Sequence, residues 1–377
     1  MDFSLTEEQA LLQKTACDFL AKSLSREAVK RMEESEAGHD LDLWKKMASL
    51  GWLGLPFPEE YGGSGGGLTD LTVLLEEMGY RACPGPYFST VVLGGLPVLA
   101  FGTEEQKRES LPAIAAGEWI MTFALAEKDG GWDAGGIRVR AVPFGEAWRI
   151  NGAKRHVADA HLADGFLCAV RTGKPAKSRV GITVFLVDGR TRGIRIGDMK
   201  TATGDRQSEV RFYQVPARRE QIIGVFDDGA EVVRDTLDKA AVAKCAEMIG
   251  GARAVLDMAL AYARERVQFG RPIGSFQAVQ HHFADMWTDI HGSRYLYRKA
   301  ALEIDGGAPA ARVAAMAKAR TGETYRRVTA LGHQIFGAIG FTMEHEMHRY
   351  HRRALGGDVT FGGGAFHRDR VAESMGL

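Results

Sequence analysis

Residues 265–286 read ERVQFGRPIGSFQAVQHHFADM. A helix is expected to end at Phe269, because Gly270 can take the positive φ of a C-terminal cap and Pro272 blocks continuation. Ser275 is a suitable N-cap for a second helix, whose apolar stripe runs Phe276, Val279, Phe283, Met286 and Ile290. Arg266 and Gln268 thus fall at a helix end beside a tight turn. There a guanidinium fork and an amide can grip an anionic group.

Working outward, the 377-residue chain exceeds one ordinary core, so two or three subdomains are expected. Apolar residues make up 45% and charged residues 25%, the balance of a globular protein. The 48 basic and 48 acidic side chains cancel, which argues against a broad nucleic-acid surface. Cys17, Cys83, Cys168 and Cys245 are scattered with no C-x-x-C pair, which disfavours a disulfide framework or structural zinc. No apolar run reaches the roughly 18 residues of a membrane span. The acidic start, MDFSLTEE, lacks a signal-peptide core, so a cytoplasmic protein is expected.

Helices are expected through residues 1–118. Thr6 and Gln9 form a capping box ahead of Leu11, Leu12, Ala16, Phe19 and Leu20, and further helices cover 41–50, 68–79 and 103–116. The glycine-rich linker 59–67 reads as a turn, since no strand precedes it and no Lys-Ser/Thr follows. Residues 119–224 switch to short β-type runs at 120–124, 137–142, 148–151, 166–170, 182–187 and 209–213. Asn151-Gly152 and Asp188-Gly189 read as hairpin punctuation. Residues 225–377 return to helix, with one long segment at 231–266 interrupted by Gly250-Gly251 and another at 308–335. The pattern describes an α+β chain of N-terminal helices, a middle β barrel or sandwich and C-terminal helices.

A second motif, Gln334-Ile-Phe-Gly337-Ala338-Ile-Gly340-Phe341, is a pattern of small residues that taken alone reads as a helix C-cap. His345-Glu346-Met347-His348 lacks the spacing of a zinc helix, because Arg349 stands where H-E-x-x-H needs histidine, and no metal site is expected. Cys245, among alanines, reads as packing rather than as a nucleophile.

Together the two motifs resemble the flavin signatures of the acyl-CoA dehydrogenase family, and the resemblance covers the whole length and implies that the C-terminal helices form a four-helix bundle. It implies that Arg266, Gln268, Phe269, Gln277, Gln334 and Gly337 hold the ADP portion of an FAD belonging to a neighbouring subunit. It also implies an acyl-CoA thioester substrate, from fatty acid or steroid side-chain oxidation, and reoxidation by an electron-transfer flavoprotein. The departures gather at the chemistry. The family's Thr-Glu-Pro-x-x-Gly-Ser-Asp becomes Ala126-Glu-Lys-Asp-Gly-Gly-Trp-Asp133, and its Trp-Ile-Thr flavin shelf becomes His156-Val157-Ala158.

In the family a glutamate removes the proton next to the thioester. Its usual place falls on Phe361, and its alternative place falls on Ala240 or Ala241. No catalytic residue is therefore intact, with Asp358 and Glu247 as the nearest substitutes. This combination resembles the base-lacking, β-type subunit of heteromeric α2β2 acyl-CoA dehydrogenases, which implies a paralogous partner carrying the glutamate. A self-sufficient homo-oligomer, a flavin-dependent oxygenase of the same fold and a non-catalytic structural subunit are the alternatives.

Overall fold

The computed structural model describes residues 3–128, 131–173 and 180–377. Asp129 and Gly130, inside the altered 126–133 segment, lie outside the described residues, as do Met1 and Asp2 of the acidic start. In chain order the helices before the sheet are Glu7–Ser23 (α1), Arg26–Glu34 (α2), Leu41–Ser49 (α3), Leu68–Tyr80 (α4), Leu96–Phe101 (α5) and Glu104–Ala115 (α6). Strands follow at Met121–Ala124 (β1), Arg140–Phe144 (β2), Ala147–Ala158 (β3), Gly165–Arg171 (β4), Ile182–Asp188 (β5), Ile194–Met199 (β6), Gln207–Ala217 (β7) and Ile222–Ile223 (β8). Then come Ala230–Glu265 (α7), the short strands Val267–Gln268 (β9) and Arg271–Pro272 (β10), and Gln277–Asp305 (α8), Ala311–Phe336 (α9), Met347–Val359 (α10) and Gly364–Glu373 (α11). Helices, sheet, helices is the expected order. Among the described residues no helix is long and apolar enough to cross a membrane.

The chain divides into two compact units. One gathers the chain up to Lys30, Leu68–Cys83 and Ala241–Leu377; the other holds Arg31–Gly67 and Pro84–Ala240. In the first, α1 starts on the expected capping box, with Gln9 N–H donating to Thr6 Oγ1 and Thr6 N–H to Gln9 Oε1. Helix α7 runs unbroken through Gly250-Gly251, against the expected interruption. A Cβ on Gly250 would lie 1.8 Å from the Glu76 carbonyl oxygen of α4, and one on Gly251 2.1 Å from the Tyr325 hydroxyl of α9. The glycines therefore permit helix crossings, which outweigh their low helix propensity. Beneath the crossing, the buried carboxylate of Glu76 accepts from Arg253 at 2.8 Å, from Arg294 at 2.7 Å and from Tyr297. Burial pushes its carboxyl up, but the two guanidiniums outweigh burial and hold it below the usual range.

In the second unit the strand order is β6-β7-β3-β2-β4-β5-β8, with β1 parallel to β4. Ile150, Val157, Phe166, Phe185, Val210 and Phe212 fill its core. Asn151-Gly152 is not a hairpin. It sits inside β3 at a bulge, where Gly152 has φ +138° and a register shift separates Ile150 from Gly152. The β2–β3 turn lies instead at Gly145-Glu146, Gly145 having φ +62°. Both positions need φ values that glycine adopts without strain, so the dipeptide alone did not distinguish them.

Candidate functional site

The ERVQFG segment differs locally from its expected form. Helix α7 stops at Glu265, and β9 and β10 pair as a two-residue hairpin with Gln268 opposite Arg271. Phe269 (φ +54°) and Gly270 (φ +78°) are its central residues, the pair of positive φ values that a type I′ turn demands. Gly270 thus serves the hairpin and not a helix cap. Nor does Ser275 cap α8, since its hydroxyl donates to the Pro272 carbonyl at 2.7 Å and the helix begins at Gln277. The apolar stripe of α8 is as expected: Met286 and Ile290 are buried, while Phe276, Val279 and Phe283, nearer the hairpin, are half-covered.

Phe269 is 93% exposed, its ring edge-on to Phe276 at 6.2 Å, and Arg271 lies 4.0 Å over the Phe276 ring. Among the described residues no partner engages the Arg266 guanidinium, while its backbone is fixed by Arg266 N–H to Tyr262 O and Ile273 N–H to Arg266 O, each 2.8 Å. Gln268 Nε2 donates only to its neighbour's carbonyl, and Gln277 is exposed. Tyr262 and Phe336 rings meet at 5.0 Å, which brings the end of α9, with Gln334 and Gly337, to the same end of the bundle. Gly337 has φ +65° and ψ −141°, a region essentially reserved for glycine, and a Cβ there would meet nothing within 4 Å. An unpaired guanidinium, free amides, an exposed phenyl ring and bare backbone form a donor set suited to an anionic dinucleotide.

The turn at Phe361 is different in kind. Phe361 is 7% exposed with φ +60°, and its carbonyl is bonded by His367 Nε2 at 3.0 Å. Buried Lys318 donates to Asp358 O at 2.9 Å and Gly362 O at 3.0 Å, so the turn is stapled from beneath. Asp358 itself pairs with Arg326 at 3.1 Å. Glu247 pairs with Lys244 at 2.6 Å; burial raises its carboxyl, but Lys244 and Arg353 together hold it below the usual range. Both substitute carboxylates are therefore committed to cations.

Other functional candidates reduce to structure. Glu127 accepts from the amides of Arg138 and Val139 and from buried Lys154 Nζ at 2.6 Å. His156 (φ +53°) has Nδ1 2.9 Å from Gln207 Oε1. Burial pushes the Cys245 thiol up to about 11, which suits packing and not nucleophilic attack. Among the described residues no three His, Cys, Asp or Glu side chains gather as a metal site. The sequence reading missed Asp159, directly after the 156–158 segment. Burial pushes its carboxyl up, and Ser89 donates to it at 2.6 Å. Its adjacency to that segment was the available signal.

Sequence models of three domains of one family match the chain: acyl-CoA dehydrogenase N-terminal domain over residues 6–118, middle domain over 122–215 and C-terminal domain over 227–376. The chain belongs to the acyl-CoA dehydrogenase family. A probable acyl-CoA dehydrogenase of Bacillus subtilis, YngJ, is 35% identical over 360 residues, covering 94% of each protein. Butyryl-CoA dehydrogenase from Megasphaera elsdenii matches with a TM-score of 0.94 at 29% identity over 100% of both chains. A chain of the ChsE4–ChsE5 complex from Mycobacterium tuberculosis matches at 0.91 and 27%, over 100% of this chain and 99% of that one. Members of the family are oxidoreductases and FAD flavoproteins.

Proposed function

We propose that this chain is the base-lacking subunit of a heteromeric, FAD-dependent acyl-CoA dehydrogenase that desaturates a CoA thioester to the α,β-enoyl-CoA. One contrast supports the reading: dinucleotide-type donors stand free around Arg266, while the place of the catalytic glutamate holds a buried phenyl ring. Bound FAD would supply the hydride acceptor. Arg266 would neutralise the pyrophosphate with a charge that cannot be lost by deprotonation. Phe269 would cover the adenine or ring edge, Gln268, Gln277 and Gln334 would donate amide hydrogens, and Gly337 would admit the diphosphate to bare backbone. The proton-abstracting carboxylate would come from a paralogous partner in an α2β2 assembly, and an electron-transfer flavoprotein would take the electrons, in the cytoplasm. The division into domains at 1–118, 119–224 and 225–377 belongs to this proposal, with the donor corner in the third.

The test is co-expression with a paralogue that carries the glutamate, followed by counting FAD per chain. One flavin for every two chains is expected, and one per chain sinks the split site. Arg266→Ala should weaken FAD retention roughly ten- to a hundredfold, the worth of one hydrogen bond to a charged group. A second reading, a self-sufficient homo-oligomer, is favoured by Asp159, a carboxyl beside the 156–158 segment that burial pushes up and that accepts from Ser89 at 2.6 Å. Turnover by the chain alone, lost in Asp159→Asn, would establish it.

A further inference from the structure

The outward face of β2, β3, β7 and β6 carries chemistry that the desaturation reading does not use. Alternation of burial fixes which residues face out: Ala141, Ile150, Val210 and Phe212 point into the core, so their neighbours point to solvent. The register then sets Arg140 opposite Asn151, Arg149 opposite Val142, and Arg211 between Ala153 on one side and Arg195 on the other. With Arg155 this makes five guanidiniums on four adjacent strands. Glu209 is the only carboxylate at the outward positions of these strands, and it is already shared by Arg211 at 2.5 Å and Arg155 at 3.1 Å. In a chain whose formal charges cancel overall, this face is strongly cationic.

We infer that this sheet face docks an acidic segment of a partner protein. Arg195 directly opposite Arg211 is an unfavourable like-charge pair in the free chain, and a bridging carboxylate would relieve it. The guanidiniums are also laid out in advance. Arg149 lies 4.7 Å over the Phe144 ring with its Nη1 donating to the Gln214 carbonyl at 3.2 Å, and Arg195 lies 5.4 Å over Tyr213, so both guanidiniums are held in place with N–H groups left over for carboxylates. Phe144 is 63% exposed, Val142 50% and Tyr213 49%, so apolar area is interleaved with the charge. Arginine with aromatic residues is the composition of protein interfaces. Four strands span about 15 Å, wide enough for one helix of about 10–12 Å diameter. At one side the face runs into a cleft of about 280 Å3 at the Asn151–Ala153 bulge, walled by Lys128 and Arg138. The cleft's own carboxylate, Glu127, is taken by Lys154 and two backbone amides, so it does not neutralise these cations.

The experiment is fluorescence anisotropy of the full chain with labelled poly-L-glutamate of about twenty residues, long enough for five or six helical turns. Saturable binding is expected that weakens roughly tenfold in Arg140→Glu/Arg195→Glu and again between about 0.05 and 0.2 M salt. Arg140→Gln/Arg195→Gln should fall between wild type and the reversal, and Arg312→Glu, an exposed change at the start of α9, should bind as wild type does. Circular dichroism of each variant should match wild type. Equal binding by the reversed variant overturns the inference. So does equally tight, equally variant-sensitive binding of duplex DNA, which would mark an indiscriminate polyanion surface. Loss of self-association in the reversed variant would overturn it too, because the occupant would then be a second copy of this chain.

Discussion

Two corners of the same helical unit treat polar groups in opposite ways. Around Phe361 they are committed: Lys318 and His367 between them bond the carbonyls of residues 358, 361 and 362. Around Phe269 they are free, with Arg266, Gln277 and Gln334 exposed on an ordered backbone. Burying polar groups is tolerable only when each finds a partner, so the first corner is a finished structure. The second has its geometry fixed by hairpin and helix ends while its side chains stay exposed.

The largest effect should come from breaking the finished corner. Lys318→Met would leave two buried carbonyls without their donor and should cost about 3–5 kcal/mol in denaturant unfolding. It should also change the pH dependence. Burial pulls the Lys318 ammonium down to about 8, so between that value and the roughly 10.4 of an unfolded lysine the unfolded chain holds more of the proton. Native stability should therefore rise with pH across that window in wild type, and the rise should shrink in Lys318→Met. Identical pH slopes would show that Lys318 is not buried in solution. Gly250→Ala comes next, at about 2–3 kcal/mol, because its Cβ would press on a backbone carbonyl that cannot rotate away. An unchanged midpoint would mean that α7 and α4 are not in contact at Gly250.

How legible these corners were follows from the same contrast. The exposed corner supports the proposed FAD grip through residue types at fixed spacing, since a free side chain keeps its type's chemistry. The turn beneath it was misread because Gly270 serves a helix cap and a type I′ hairpin equally well; only the pairing of Gln268 with Arg271 decides between them. Lys318 was invisible. In MAKAR it looks like any solvated lysine of a helix, and its burial depends on α10 and α11 returning over α9, a tertiary event that no local pattern records. Gly250-Gly251 lay between: two mid-helix glycines cost helix propensity, a local sign whose reason, close approach to Glu76 and Tyr325, is tertiary.

The smallest effect sharpens the comparison most. Phe269 sits at positive φ, where a bulky residue is disfavoured and asparagine is several-fold enriched. Among the described residues nothing repays that strain, since the ring is almost wholly in solvent and meets Phe276 only edge-on. If the corner were merely structural, Phe269→Asn would improve it and harm nothing. If the ring is kept for a ligand, the same change should stabilise the chain by about 0.5–1 kcal/mol while FAD retention in the complex falls several-fold. Thermal unfolding of the chain alone and flavin release from the complex read the two halves separately. A gain in stability with undiminished flavin retention would remove Phe269 from the site and leave Arg266 to carry it.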